Sequence, residues 1–315
     1  MNLEEETRNG YTISKEMKKV WAVEMDLLKK VLEVCAKHHL RVWAEGGTML
    51  GTIRHKGFIP WDDDIDLAMM REDYDKLQEI AREEFEFPFF FQSGYTDKFP
   101  NGLTRLRMDG TAAILPQSLF HDCHQGIFID IFPLDVIPDD QNELKEFINQ
   151  KVHKKQELFL FFKNHWSLSN IKYDWILLKT KIKIWTIGFN SAFHAYDQFI
   201  KQYVKSNNEY ISLISWNYDE RYRRKRDWYN ETIYIQFEDI YLPVPADYDK
   251  ILTQQYGDYM TPVKAPTMHG LYGGFLVLDT EKSYKDYLPD LRRNKKRGLW
   301  ADLKKRFHDF MLSKK

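Results

Sequence analysis

An α+β fold is what this sequence predicts, on three observations. Helix-like apolar spacing and strand-like runs are mixed along the chain, without the regular alternation of a doubly wound parallel sheet. One long stretch, Gln141 to Asn207, is mostly helical in pattern and reads as an insert or second layer. With 315 residues, 43% hydrophobic and 30% charged, the chain has the composition of a soluble globular protein with ample core.

The elements follow in order. From Ile13 to His39, Met17, Val20, Trp21, Leu27, Leu28, Val31 and Val34 recur at three- and four-residue spacing, which predicts a long amphipathic helix. Arg41 to Ala44 is a short strand that Gly46-Gly47 breaks, and a short helix runs from the turn through Thr48 to Arg54. Ile65 to Met70 is a second strand, followed by a helix from Arg71 to Phe85 with Tyr74, Leu77, Ile80, Ala81 and Phe85 on one face. Phe87 to Gln92, Leu103 to Met108 and Gly126 to Phe132 are strands bounded by Gly, Pro or Asn. Beyond the helical stretch, Thr232 to Phe237 and Tyr241-Leu242 form a hairpin, and Pro245-Ala246-Asp247 opens a helix ended by Gly257. We therefore place a catalytic unit at 1–280, with its core at about 13–135 and 230–280 and a helical insert at about 140–227, and a tail at 281–315.

Composition narrows the class. Two distant cysteines, Cys35 and Cys123, show no metal-ligand spacing and suit a reducing compartment. The acidic start Met-Asn-Leu-Glu-Glu-Glu lacks the basic and apolar blocks of a signal peptide, so a cytoplasmic location is expected. Net charge is −1, and no recognition motif accompanies the basic run Arg221 to Arg226, which argues against a nucleic-acid partner. The basic excess sits in the tail, with twelve Lys or Arg against five Asp or Glu from Glu281 onward. There Leu299, Leu303, Phe307 and Phe310 alternate with Lys296, Arg297, Lys304, Lys305 and Arg306. This predicts a basic amphipathic helix suited to peripheral contact with the inner face of a membrane, or to docking on the protein itself.

The chemistry centres on Trp61-Asp62-Asp63-Asp64-Ile65-Asp66. On a strand Asp64 and Asp66 share a face, while Asp63 faces away and is the poorest ligand of the run. Two carboxylates that close repel unless a hard divalent cation neutralises them, and Asp62 reaches the same volume. Asp130, alone in the apolar strand Ile127 to Phe132, is costly to bury without a partner or metal and supplies a third carboxylate if its strand neighbours that of Asp66. Gly46-Gly47 lets backbone approach a phosphate, and the helix after it offers free N–H groups. A solvated acidic loop is the ordinary meaning of such a run. A calcium loop fails because Leu67 stands at its required glycine and Asp73 at its final glutamate. The combination favours metal-dependent phosphate chemistry.

The string Trp43-Ala44-Glu45-Gly46-Gly47-Thr48-Met49-Leu50-Gly51-Thr52-Ile53-Arg54-His55-Lys56-Gly57-Phe58-Ile59-Pro60-Trp61-Asp62-Asp63-Asp64-Ile65-Asp66 resembles the signature of the LicD family, which includes fukutin and fukutin-related protein. Gly126 to Asp135, Leu242-Pro243-Val244-Pro245 and Tyr256 to Met260 agree in order, so the resemblance runs from about Val31 to Met260. It implies a polymerase-β-type nucleotidyltransferase fold, a mixed sheet flanked by helices. It also implies transfer of a phospho-alcohol from a CDP-activated donor to a sugar hydroxyl. Bacterial relatives move phosphocholine onto teichoic acid or lipopolysaccharide glycans, and animal relatives move ribitol phosphate. In that family the Gly-Gly turn holds donor phosphates and the Asp-x-Asp pair with a further strand Asp holds magnesium.

The matching positions are Gly46, Gly47, Asp64, Asp66 and Asp130, with Asp62 an additional ligand of magnesium or manganese and Thr48 beside the donor turn. CDP-choline is the expected donor and a lipid-linked glycan the acceptor. Asp130 is the expected general base. Arg54, His55, Lys56, Arg105 and Arg107 are candidates for phosphate contacts, and Trp61 is the ring nearest in sequence for holding choline. A nucleotidyltransferase acting on a sugar or protein is the rival reading. The helical insert matches no part of the signature.

Overall fold

A computed structural model describes residues 1–163, 171–263 and 274–295. The chain opens with a ribbon of β1 (Glu6–Arg8) and β2 (Tyr11–Ile13) and enters α1 (Lys15–Lys37). Ser14 caps α1 by accepting from the Met17 N–H at 3.2 Å, Glu16 sits in its first turn and Lys37 in its last, each matched to the helix dipole. There follow β3 (Trp43–Ala44), α2 (Gly46–Arg54), β4 (Asp66–Met70), α3 (Arg71–Glu84), β5 (Phe89–Gln92), α4 (Gly94–Asp97), β6 (Thr104–Met108), β7 (Ala112–Ile114) and β8 (Phe128–Val136). The helical stretch is three helices, α5 (Gln141–Phe162), α6 (Ile171–Ile187) and α7 (Phe189–Ile200). The remainder is β9 (Tyr210–Ser212), β10 (Arg224–Lys225), the hairpin β11 (Thr232–Phe237) and β12 (Ile240–Pro245), α8 (Tyr248–Tyr256), β13 (Val277–Asp279) and a helix at 284–295.

The main sheet runs β10-β9-β8-β4-β3, with β6 on β8 and β5 on β6. Only β4 and β8 pair in parallel; the other pairings are antiparallel, so the sheet is mixed and flanked by helices. β8 is longer than the sequence suggests, because it changes partner along its length. Its first half pairs with β6 and its last two residues with β9. Pro133 falls in the gap between those partners, where a missing N–H is tolerated. β9 and β10 extend this sheet, so the stretch read as a helical insert also contributes strands to the core.

One large core of α1, α2, α3, the sheet and the β11–β12 hairpin packs around Trp21, Trp43, Leu67 and Ile131. Trp21 stacks on Phe58 with centroids 4.4 Å apart. A second core joins α5 and α7 around Phe147, Phe189 and Phe193. The two are bolted by a buried ionic group: Arg71, at the β4–α3 junction, donates to Asp135 of β8 at 2.6 and 2.9 Å and to Asp197 of α7 at 3.3 Å. Burial pushes the Asp135 carboxyl up to about 6 despite that partner. The basic tail from 296 to 315 lies outside the described residues.

Candidate functional site

Two glycines make the floor of the site. Gly46 has φ +53°, a left-handed conformation that side chains disfavour, and it turns the chain from β3 into α2. A Cβ on Gly47 would lie 2.6 Å from Asp62 Oδ2, and one on Gly46 would lie 3.6 Å from Asp66 Oδ2. The absence of side chains here therefore lets the N-terminus of α2 press against the acidic loop, and its free N–H groups and positive dipole end face carboxylates.

That loop is held from both sides. Trp21 Nε1 of α1 donates to the Asp62 carbonyl at 2.9 Å, and the Asp66 N–H donates to Thr48 Oγ1 at 2.8 Å. Thr48 is thus a tie between turn and strand as well as a neighbour of the donor turn. β4 begins only at Asp66, so the alternation of a strand does not govern the residues before it. This corrects the expectation that Asp63 faces away. Asp62, Asp63 and Asp64 bring carboxylate oxygens within 4.8 Å of one another.

Asp66 and Asp130 stand directly opposite in the parallel β4–β8 register, the neighbour relation expected of their strands. Burial, then Asp64, Asp130, Asp62 and Glu45, push the Asp66 carboxyl well above the usual carboxylate range. Burial, Asp64 and Asp63 do the same to Asp62. Arg105 of β6 sits across from Asp130 and grips it with two hydrogen bonds, 2.6 and 3.3 Å, while lying 3.9 Å over the Phe128 ring. Asp130 therefore carries a guanidinium partner in Arg105. An all-carboxylate set, crowded enough to raise its own pKa values, has the chemistry of a hard divalent cation site.

Two further carboxylates at this site are not among the expected ligands, Glu24 outside the linear motif and Glu45 within it. Glu24 of α1 is 2% exposed, and its Oε2 has no hydrogen-bond partner among the described residues. Burial, then Asp64, Asp63, Asp62 and Asp66, push its carboxyl well up. Glu24, Asp63 and Asp64 share a cavity of about 10 Å³ with Val20, Ile127 and Phe128, about enough for one water-sized occupant. The available signal was its place on the helix: residue 24 falls on the apolar face between Val20, Trp21, Leu27 and Leu28. Glu45, the N-cap of α2, is gripped by Arg224 at 2.6 and 2.6 Å, and Arg224 also donates to Tyr229 and Gln255. Gln255 in turn donates to the Tyr256 hydroxyl, which lies beside Gly46.

The other candidates spread outward. Arg54 donates to the Tyr259 carbonyl at 2.7 Å and to His55 Nε2 at 2.9 Å. Burial and the Arg54 charge hold His55 down at about 4, so its ring is neutral near pH 7. Tyr11 and His55 both present edges to Trp61, at 6.1 and 6.3 Å. Lys56 is exposed at the end of α2. Arg107 does share the Arg105 face, since both guanidinium groups lie over Phe128. It is nevertheless buried and committed to Gln92 Oε1 and the Gly126 carbonyl, each at 2.6 Å, so it serves the fold around the site. The basic run at 221–226 is likewise internal or paired: Arg221 bonds Asp219, Arg224 bonds Glu45, and Arg223 lies 3.8 Å over Tyr210.

Residues 39–161 match the family described as LicD/FKTN/FKRP, nucleotidyltransferase domain, and the chain carries a domain of that family. It is similar to the lipopolysaccharide cholinephosphotransferase LicD of Haemophilus influenzae, with 27% identity over 260 residues, 75% of this chain and 88% of that protein. An uncharacterised protein of Rickettsia prowazekii is 44% identical over 70 residues, 22% of this chain and 24% of its own. The human ribitol 5-phosphate transferase FKRP is 42% identical over 45 residues, 14% of this chain and 9% of its own. The matched domain contains the glycine turn, the acidic loop, Arg105 and Asp130, and it excludes Glu24, Arg224 and Gln255.

Proposed function

We propose that this chain, which carries a LicD-family domain, transfers a phospho-alcohol from a CDP-activated donor to a glycan hydroxyl, with phosphocholine the group moved and CMP released. One observation carries the reading: Asp62, Asp63, Asp64 and Asp66 crowd against the Gly46-Gly47 turn, with Asp130 beside Asp66 in register. Such a site pairs anion-binding backbone with carboxylates that need a cation, which is what a diphosphate and its counter-ion require. In this reading β4 and β8 form the parallel pair of a polymerase-β-type fold.

Magnesium or manganese, held by Asp62, Asp64 and Asp66 with Asp63 and Asp130 at its margin, would neutralise the diphosphate and acidify the acceptor hydroxyl. The backbone N–H groups at the start of α2 hold donor phosphate oxygens. The acceptor oxygen bonds to the distal phosphorus as the bond to the CMP oxygen breaks, and the hydroxyl proton passes to Asp130, whose carboxylate Arg105 keeps oriented. The Arg224–Glu45 pair fixes the start of α2 and so positions these donors. Trp61, Tyr11 and the neutral His55 are the rings offered to a quaternary ammonium, and a lipid-linked glycan is the acceptor we assign.

A panel of CDP-alcohols assayed for cation-dependent CMP release tests the reading. CDP-choline is expected to give CMP and a phosphocholine-bearing glycan, and Asp64→Ala or Asp66→Ala to abolish both. Pyrophosphate release from a nucleoside triphosphate, or folded aspartate variants that stay active, would overturn it.

A further inference from the structure

Helix α6 exposes more apolar surface than a helix of a water-bounded protein needs. Its inner face is Leu177, Thr180 and Ile184, all buried. On the opposite side Ile171, Trp175, Leu178, Ile182 and Trp185 recur at spacings of four, three, four and three, which at 3.6 residues per turn is one straight stripe. Ile171 is 71% exposed, Trp175 59%, Ile182 53% and Trp185 80%. Lys172, Lys179 and Lys183 line one flank of the stripe, and Lys181 with Asp174 the other, so the cationic flank is the first. Lys183 reaches Glu157 of α5 at 2.7 Å, while Lys172 and Lys179 are exposed and have no ionic partner among the described residues.

We propose that α6 lies flat on a bilayer surface carrying anionic headgroups, its Ile and Trp stripe dipping among the acyl chains. Charge and residue type together select this occupant. Tryptophan is at home where apolar and wet regions meet, and lysines can set their ammonium groups at headgroup level while their stems follow the helix into the apolar layer. A protein partner is the poorer fit, since lysine is depleted from protein interfaces. No helix among the described residues is long and apolar enough to cross a membrane, so the contact is peripheral. It does not involve the 296–315 segment and does not rest on the transferase reading, because it is measured without donor or acceptor.

The full chain is mixed with vesicles of phosphatidylcholine, alone or with phosphatidylglycerol, and sedimented. It is expected to bind the anionic vesicles more tightly than the neutral ones. Trp175→Glu with Trp185→Glu should weaken binding by about tenfold or more, and Lys172→Gln with Lys179→Gln severalfold. Equal binding by the glutamate pair overturns the proposal, as does absence of vesicle binding. If the parent instead forms a dimer that the glutamate pair dissociates, the stripe is a contact between copies and the proposal fails. Should the glutamate pair not fold, Ile182→Cys in a Cys123→Ser background carries an environment-sensitive dye. A blue shift on anionic vesicles supports the docking, and unchanged emission refutes it.

Discussion

The acidic site and helix α6 break the usual rules of burial in opposite directions. At the site, Glu24 and Asp63 are buried and Asp62, Asp64, Asp66 and Asp130 are only partly exposed, yet all are crowded together. On α6, tryptophans and isoleucines stand in solvent. Buried charge and exposed large apolar surface are the two informative departures in a folded chain, and each signals something the isolated molecule does not contain. In the readings proposed above, the carboxylates take a cation and the stripe takes an apolar surface. The first departure costs stability, while the second costs solubility.

This contrast can be broken at several points, in descending size of effect. Asp64→Ala and Asp66→Ala should lower CMP release by about a thousandfold or more while leaving the circular dichroism spectrum intact; retained activity would dissolve the catalytic half of the comparison. Arg224→Met should destabilise by about 3–5 kcal/mol in urea unfolding, because it strands Glu45 buried without its partner. A loss below about 1 kcal/mol would mean that water reaches Glu45.

Glu24→Gln keeps the shape and removes one of the crowded charges, so the metal-free protein should gain about 1 kcal/mol and bind magnesium more weakly. Unchanged magnesium affinity by calorimetry would place Glu24 outside the cation's reach. The pH dependence follows from the same groups. Asp62, Asp66 and Glu24 have folded pKa values above their unfolded ones, so the stability they contribute is present at low pH and lost as pH rises through the folded values. In a chelator the melting temperature should therefore fall on going up from the ordinary carboxylate range, and magnesium should flatten that slope. The smallest expected effect is on α6: Trp185→Glu removes a side chain that is 80% exposed and should change stability by no more than about 0.5 kcal/mol. A larger loss would show that the stripe is already packed against the protein.

How much of the site was legible follows the same division. Gly46, Gly47, Asp64, Asp66 and Asp130 stand in short local patterns; the parallel β4–β8 pair sets Asp66 beside Asp130 as expected, whereas Asp64 precedes β4 and owes its place to the loop, not to strand alternation. Asp63 departs from its expected orientation because the chain becomes strand only at Asp66, so strand alternation does not govern it. Arg105 and Arg107 share a face as their spacing requires, yet one grips Asp130 and the other is spent on Gln92 and a carbonyl. Glu24 and Arg224 reach the site from 22 residues before Gly46 and 158 residues after Asp66, distances across which no local period speaks.

The amino-acid order by itself determined the helices and strands, the glycine turn and the acidic run, because each depends on spacings of two to four residues that backbone geometry turns into faces. Tertiary structure decided what each buried face meets and, where apolar residues surround a helix, which side goes inside. α6 shows this most plainly: its apolar residues surround the helix, and only packing against α5 and α7 left Trp175 and Trp185 outside while Leu177 and Ile184 went in. The same packing set Glu24 against the aspartates, since a helix face acquires its neighbours only when the chain folds back on itself.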